Sequence, residues 1–239
     1  KRFLVRLATR WLSTGKETTK YLVHYGAKPE SIREYPFSSF YQADILPEVV
    51  SQEEKRRIRE TLGIPEEKML LAIGQFIPRK GFDVLLKAAA RLDRDVGIYL
   101  VGGEATPEYT ALREKLGLAN VHFVGFTPKA ALAEYYKAAD AFVLPTREDI
   151  WGLVINEAMA YGLPVVTTDR CVAGMELVEN GVNGYIVPVG DENALADRLR
   201  CLLSSDMSAM GRISLEKVQK YTLENMAKAH MDYLQEWEK

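Results

Sequence analysis

Two short stretches carry residue types suited to binding and breaking a phosphorylated substrate. The first, Gly74-Gln75-Phe76-Ile77-Pro78-Arg79-Lys80-Gly81, sets two cations between glycines. Glycine lets the backbone approach a ligand closely, and Arg79 and Lys80 supply cationic donors where a pyrophosphate would lie. A helix beginning after Gly81 would add partial positive charge. Taken alone, the same pattern also describes a solvated basic pair in a loop. It is not a P-loop, because no G-x-x-x-x-G-K-[ST] occurs, and no G-x-G-x-x-G follows any expected strand. Classical dinucleotide binding therefore loses its main support.

The second stretch runs from Pro145 to Pro164 and contains Glu148, Asp149, Gly152, Leu153, Val154 and Glu157. A strand ends at Leu144, a polar loop carries adjacent acids, and a helix opens near Gly152 with Glu157 just inside it. The eight positions from Asp149 to Glu157 would rise at most ~12 Å if all were helical, with the side chains about 80° apart around the axis. That is the reach of a sugar diphosphate: one acid could hold sugar hydroxyls, the other a ribose, and the free amides of Gly152, Leu153 and Val154 would face the phosphates between them. The plain alternative makes Asp149 a helix cap and Glu157 a surface glutamate. Against it, Ala158-Met159-Ala160 is a small apolar run that presses this helix onto a sheet.

Both stretches need a frame. From Met69 to Val187, short runs rich in Ile, Leu and Val alternate with segments of helical period, the pattern of a parallel sheet buried on both faces. Expected strands are Met69 to Gly74, Val96 to Val101, Val121 to Val124, Ala141 to Leu144, Pro164 to Thr168 and Tyr185 to Val187, with helices starting near Phe82, Pro107, Lys129, Gly152, Gly174 and Asn193. These predict an α/β, Rossmann-like doubly wound domain with its ligand at the carboxyl ends of the strands. Residues 1 to about 45 fall outside the repeat: a helix over Lys16 to His24, an extended Ile32 to Pro36, and a linker bracketed by Pro36 and Pro47. Ser51 to Thr61, with Lys55, Arg56, Arg57 and Arg59, reads as a solvated helix. Leu223 to Trp237 reads as a helix with Met226, Ala229, Tyr233 and Trp237 spaced by three or four.

Composition limits the partners. The 239 residues are 47% hydrophobic and 27% charged, and 31 basic against 33 acidic residues give a net charge of −2. No global field draws the molecule to nucleic acid, so any polyanion must meet a local site. Cys171 and Cys201 form no metal-ligand or redox spacing and suit a reducing cytosol. No stretch approaches the ~20 apolar residues needed to span a bilayer. We expect a cytoplasmic protein, peripheral at the membrane in its full-length form, and because the chain opens at Lys1 we expect it to be part of something longer.

The residues now assembled resemble a known family. The Gly74 to Gly81 loop, Val101-Gly102-Gly103, Phe123-Val124-Gly125-Phe126, Ala139 to Pro145, Asp149 to Pro164 and Asn183 to Val187 together look like the C-terminal domain of glycosyltransferase family 4, the large retaining GT-B family. The resemblance is close from about Met69 to Leu203. It implies three parts: residues 1-46 as the remnant of an N-terminal domain and linker, 47-220 as a nucleotide-sugar-binding domain, and 221-239 as a helix crossing back to the N-terminal domain. By the resemblance, Lys80 contacts the donor diphosphate, Asp149 the transferred sugar and Glu157 the ribose. Gly152, Leu153 and Val154 offer amides to the phosphate, Phe126 and Thr127 lie where backbone atoms read the base, and Gly74 and Gly102 line the cleft. Two positions depart from the pattern. Gln75 stands where the family usually has arginine, leaving Arg79 as the nearest replacement, and Asp149 stands where glutamate is usual, with Glu148 beside it.

The implied function is a retaining glycosyltransferase that takes a UDP- or GDP-sugar, without a metal, and delivers the sugar to a glycan, a lipid-linked glycan or a small molecule. The acceptor would be held mainly by the protein's own N-terminal domain. His24, His122 and His230 sit in unrelated contexts. The departures at Gln75 and Asp149 also fit a non-catalytic nucleotide-sugar-binding or interaction domain of the same fold. A nucleotide-sugar epimerase of similar design is a third reading, disfavoured by the loop sequence.

Overall fold

The computed structural model describes residues 1–236. In chain order, a short helix α1 (Arg2–Leu7) leads to β1 (Trp11–Ser13), α2 (Lys16–His24) and β2 (Ile32–Glu34). These pair in parallel, Trp11 beside Ile32, around a small core of Val5, Leu22, Ala27 and Ile32. After a segment without regular strands comes α3 (Gln52–Leu62), started by the Ser51 side chain accepting the Glu54 N–H and ended by left-handed Gly63.

The main sheet then builds up: β3 (Lys68–Ile73), α4 (Phe82–Ala89), β4 (Val96–Val101), α5 (Pro107–Lys115), β5 (Val121–Val124), α6 (Lys129–Ala138), β6 (Ala141–Leu144), α7 (Leu153–Ala160), β7 (Val165–Thr168), α8 (Val172–Leu177), β8 (Gly184–Val187) and α9 (Glu192–Leu203). Two further helices close the described chain, α10 (Met207–Val218) and α11 (Leu223–Gln235). All six strands lie within one residue of the apolar runs that predict them. All pair in parallel, in the order β5-β4-β3-β6-β7-β8. Successive residues of a strand face opposite sides. Accordingly Met69, Leu71 and Ile73 enter one core, while Leu70 and Ala72 enter the other, with each face covered by helices.

The chain winds outward from β3 to β5, then returns to β6 beside β3 and winds the other way. The order reverses between β3 and β6, so the loops leaving their carboxyl ends diverge and open a crevice. Those loops are the Gly74–Gly81 and Pro145–Gly152 stretches.

Three expectations are corrected. The helix expected near Gly174 begins two residues earlier, at Val172, and Gly174 is glycine because a Cβ there would sit 2.3 Å from Thr167 Cγ2. The basic helix after Ser51 is not uniformly solvated. Lys55 and Arg59 are buried and both pair with Asp140, at 3.4 Å and 2.6 Å, tying α3 to the residue before β6. The segment between Pro36 and Pro47 is packed rather than a loose linker: Phe40 and Ile45 are buried, and the Leu46 N–H donates to the Ala160 carbonyl at 2.9 Å.

Helix α11 packs on the small β1-α2-β2 unit. The Tyr233 hydroxyl donates to the Ser31 carbonyl at 2.7 Å, and the rings of His230 and Tyr35 lie 4.5 Å apart. Trp237 lies outside the described residues.

Candidate functional site

The loop after β3 is built to hold one lysine still. Pro78–Lys80 makes a single 3-10 turn that ends at Gly81 with φ +68°. A Cβ on Gly81 would lie 2.0 Å from the Pro145 carbonyl oxygen, so only glycine allows this loop to touch the one leaving β6. Further ties reinforce that contact. The Arg147 N–H and the Thr146 hydroxyl both donate to the Arg79 carbonyl, at 2.7 Å and 2.9 Å. The Arg147 guanidinium grips Asp83 of α4 with two bonds of 2.8 Å and 2.7 Å. Paired donors on a planar fork fix direction as well as distance.

Lys80 Nζ thereby reaches Asp149 Oδ2 at 2.7 Å, with both side chains 14% exposed, and Arg79 approaches the same oxygen at 3.6 Å from a more exposed position. Arg79 also donates to the Glu148 carbonyl at 2.9 Å, while the Glu148 side chain points outward. Asp149 is held by its backbone, which bonds to Arg170 and Val172 beside α8. It does not cap α7: the cap position is Gly152, with φ +101° and no side-chain bond. A Cβ on Gly152 would meet Cys171 Sγ at 2.7 Å. Burial pushes the Cys171 thiol up to about 11, which favours the protonated form at neutral pH.

Helix α7 opens directly after this ion pair. Helix geometry leaves the N–H groups of a first turn without an intrahelical acceptor; here these are Leu153 and Val154, after the cap at Gly152. Glu157 is the fifth residue of α7, a little over one turn inside, about 7.5 Å of rise from Gly152. The two acids therefore do not share a helix.

Glu157 faces a cavity of about 340 Å³ whose wall includes Ser39, Phe40, Phe126, Thr127, Tyr136 and Tyr161. Its carboxyl accepts the Tyr136 hydroxyl at 2.9 Å and the Ser39 hydroxyl at 3.3 Å. Burial raises its pKa above the ordinary glutamate range, an effect that these two bonds and nearby Lys129 oppose without cancelling.

The candidate residues thus fall into two neighbouring groups. Lys80, Arg79 and Asp149 meet at the mouth of α7, whereas Glu157, Phe126 and Thr127 share the cavity beside it. Phe126 is 83% exposed. Gln75, in the same loop, is exposed. Gly102 and Gly74 pack on each other: a Cβ on Gly102 would lie 2.3 Å from the Gly74 carbonyl oxygen, and neither belongs to the cavity wall. Sequence reasoning missed the rest of that wall. Ser39 lies 118 residues from Glu157 in a stretch that reads as a linker, and Tyr136 looks like any apolar helix position.

Among the described residues no helix is long and apolar enough to cross a membrane. No three His, Cys, Asp or Glu side chains among them gather as a metal site.

Known proteins share this architecture. The UDP- and glucose-bound structure of Anabaena HepE superposes with a TM-score of 0.79 at 21% identity, over 100% of this chain and 67% of that one. A sucrose-phosphate synthase from Thermosynechococcus elongatus gives 0.81 at 26% identity, over 99% and 59%. Both have the GT-B glycosyltransferase fold. The D-inositol 3-phosphate glycosyltransferase of Corynebacterium diphtheriae is 32% identical over 226 residues, 88% of this chain and 52% of the relative. That of Mycobacterium marinum is 33% identical over 195 residues, 76% and 41%. The chain spans about half the length of the curated relatives it matches. Residues 54–222, from within α3 to the start of α11, match the family described as glycosyl transferases group 1, and the chain belongs to that family.

Proposed function

We propose that the chain is the donor-binding half of a retaining glycosyltransferase. It takes a UDP- or GDP-sugar into the crevice between β3 and β6, and an acceptor held mainly by an N-terminal domain receives the sugar. The observation that carries this reading is the ion pair of Lys80 with Asp149 at the mouth of α7, 2.7 Å long. Without substrate the acid neutralises the lysine. An arriving diphosphate takes over Lys80 and the amides of the first turn of α7, which frees Asp149 to accept a hydroxyl of the sugar. The nucleoside extends along α7, its ribose on Glu157 and its base beside Phe126 and Thr127.

In the transfer, the bond from the anomeric carbon to the diphosphate oxygen breaks. A bond to the acceptor oxygen forms on the same face, and the acceptor proton passes to the departing diphosphate. Negative charge grows on the leaving group, and fixed cations and amides aimed at growing charge are the strongest electrostatic help a protein can supply. Lys80, Arg79 and the start of α7 fill that role in this reading, with no metal assigned to it.

Calorimetric titration with UDP, GDP, UMP and GMP tests the proposal. The diphosphates are expected to bind more tightly than the monophosphates, and Lys80→Ala is expected to erase the difference. A wild-type chain that binds none of the four would refute the assignment. Binding by the full-length protein without transfer to any acceptor would instead favour a non-catalytic nucleotide-sugar-binding domain.

A further inference from the structure

Glu157 is held by a residue that nothing in the sequence pattern singles out. Tyr136, on α6, is 2% exposed, and its hydroxyl donates to Glu157 Oε2 at 2.9 Å. Its ring stacks on Tyr161, just past the end of α7, with centroids 4.9 Å apart and planes within 4°. Phe142 of β6 packs nearby, with a centroid distance of 6.2 Å. A phenol has no flexible chain beyond its ring, so this packing fixes the position of its hydroxyl. Burial and the Glu157 carboxylate hold the Tyr136 pKa well above that of an ordinary tyrosine, so it remains a proton donor.

The opposite oxygen, Oε1, receives the Ser39 hydroxyl at a longer 3.3 Å from an exposed residue. The firm contact is therefore the one from Tyr136. A carboxylate offers about four acceptor sites, so with one bond on each oxygen, each keeps a lone pair directed elsewhere. Two adjacent hydroxyls, as in the cis-diol of a ribose, match two such oxygens side by side.

We propose that Tyr136 is a positioning residue: it sets the plane of the Glu157 carboxylate so that both oxygens accept the 2′- and 3′-hydroxyls of one ribose, and so makes the site select ribonucleotides over deoxyribonucleotides. This rests on the reading of Glu157 as the ribose partner. A residue acting only through packing would support every nucleotide equally. One acting through the carboxylate matters most when both hydroxyls of the diol are present.

The test compares UDP with 2′-deoxy-UDP, and GDP with 2′-deoxy-GDP, by calorimetry on the wild-type chain, Tyr136→Phe and Glu157→Gln. Phenylalanine keeps the stacked ring and removes only the hydroxyl, and a thermal melt verifies the fold. The wild type is expected to prefer the ribonucleotide. Tyr136→Phe is expected to reduce that preference about tenfold, the worth of one hydrogen bond to a charged group, and to lower deoxynucleotide affinity by much less, because that sugar offers Glu157 only its 3′-hydroxyl. Glu157→Gln is expected to reduce the preference without touching the tyrosine, which keeps the test decisive if Tyr136→Phe is unstable. Equal losses for both sugars in Tyr136→Phe, or no loss, overturn the positioning role while leaving the ribose assignment intact. A wild type that binds both sugars equally, or a Glu157→Gln chain that retains the full preference, overturns the ribose assignment and the positioning role together.

Discussion

Lys80 and Asp149 lie 69 residues apart in the chain and meet at 2.7 Å, each brought there by a loop leaving one of two adjacent strands whose connections run in opposite directions. The pair sits where the doubly wound topology opens its crevice, and it gives an otherwise common basic loop a definite partner.

The first prediction separates the two cations. In the full-length protein, Lys80→Ala is expected to slow glycosyl transfer on the order of a hundredfold, as when one aimed donor is removed from a developing anion. Arg79 is 46% exposed and 3.6 Å from the same oxygen, so Arg79→Ala is expected to cost about fivefold or less, the worth of an exposed pair. Steady-state rates at saturating donor distinguish them.

The second concerns Glu157 and pH. Its pKa is raised in the folded protein, chiefly by burial. Folding therefore favours the neutral acid. Its contribution to stability is fully present below the unfolded-state pKa and is lost as pH rises through the raised one. The ligand needs the charged form, so nucleotide affinity should fall with decreasing pH in a window above the ordinary glutamate range. Glu157→Gln is expected to raise Tm at neutral pH and to flatten that acid limb. Glu157→Ala, which also removes the acceptor atoms, should weaken binding far more than Glu157→Gln. Titrations and melts across a pH series check both.

The third uses two glycines of equal backbone geometry. Gly63 and Gly81 both have φ +68°, but a Cβ on Gly63 meets open space whereas one on Gly81 strikes the Pro145 carbonyl oxygen. Gly63→Ala should cost only the roughly 1–2 kcal/mol of left-handed backbone. Gly81→Ala should cost more, and should weaken diphosphate binding because the loop carrying Lys80 must move. Urea denaturation and nucleotide titration of both variants measure the difference.

The fourth addresses the buried charges below the sheet. Asp140 is 2% exposed at its side chain and satisfies Lys55, Arg59 and the Met69 N–H. Asp140→Ala strands two buried cations and is expected to destabilise the chain by about 3–5 kcal/mol in urea denaturation.

The sheet was legible because a parallel strand covered on both faces must be apolar throughout, and runs such as Met69 to Ile73 and Ala141 to Leu144 have no other economical reading. The loops carrying Lys80, Asp149 and Gly152 were legible for the same reason, since they follow strands whose ends could be placed. Long-range partners were not. Lys55 and Arg59 look like a solvated charge run because Asp140 is some eighty residues away. The cavity wall from Ser39 to Asp44 looks like a linker because its partner helix begins more than a hundred residues later. Helix α10 escaped notice because Gly211 and Ser214, both buried, interrupt its apolar stripe. That glycine is required by contact, since a Cβ on it would lie 2.2 Å from the Gly162 carbonyl oxygen.

The central claim is that one nucleoside diphosphate spans the ion pair and the neighbouring cavity. A crystal structure of the chain grown with UDP or GDP tests it most directly. Phosphate oxygens within hydrogen-bond reach of Lys80 Nζ and the Gly152 to Val154 amides, with ribose hydroxyls on Glu157, are the expected result. A nucleotide bound elsewhere, with the Lys80 to Asp149 pair still closed and the cavity beside Glu157 empty, would contradict it.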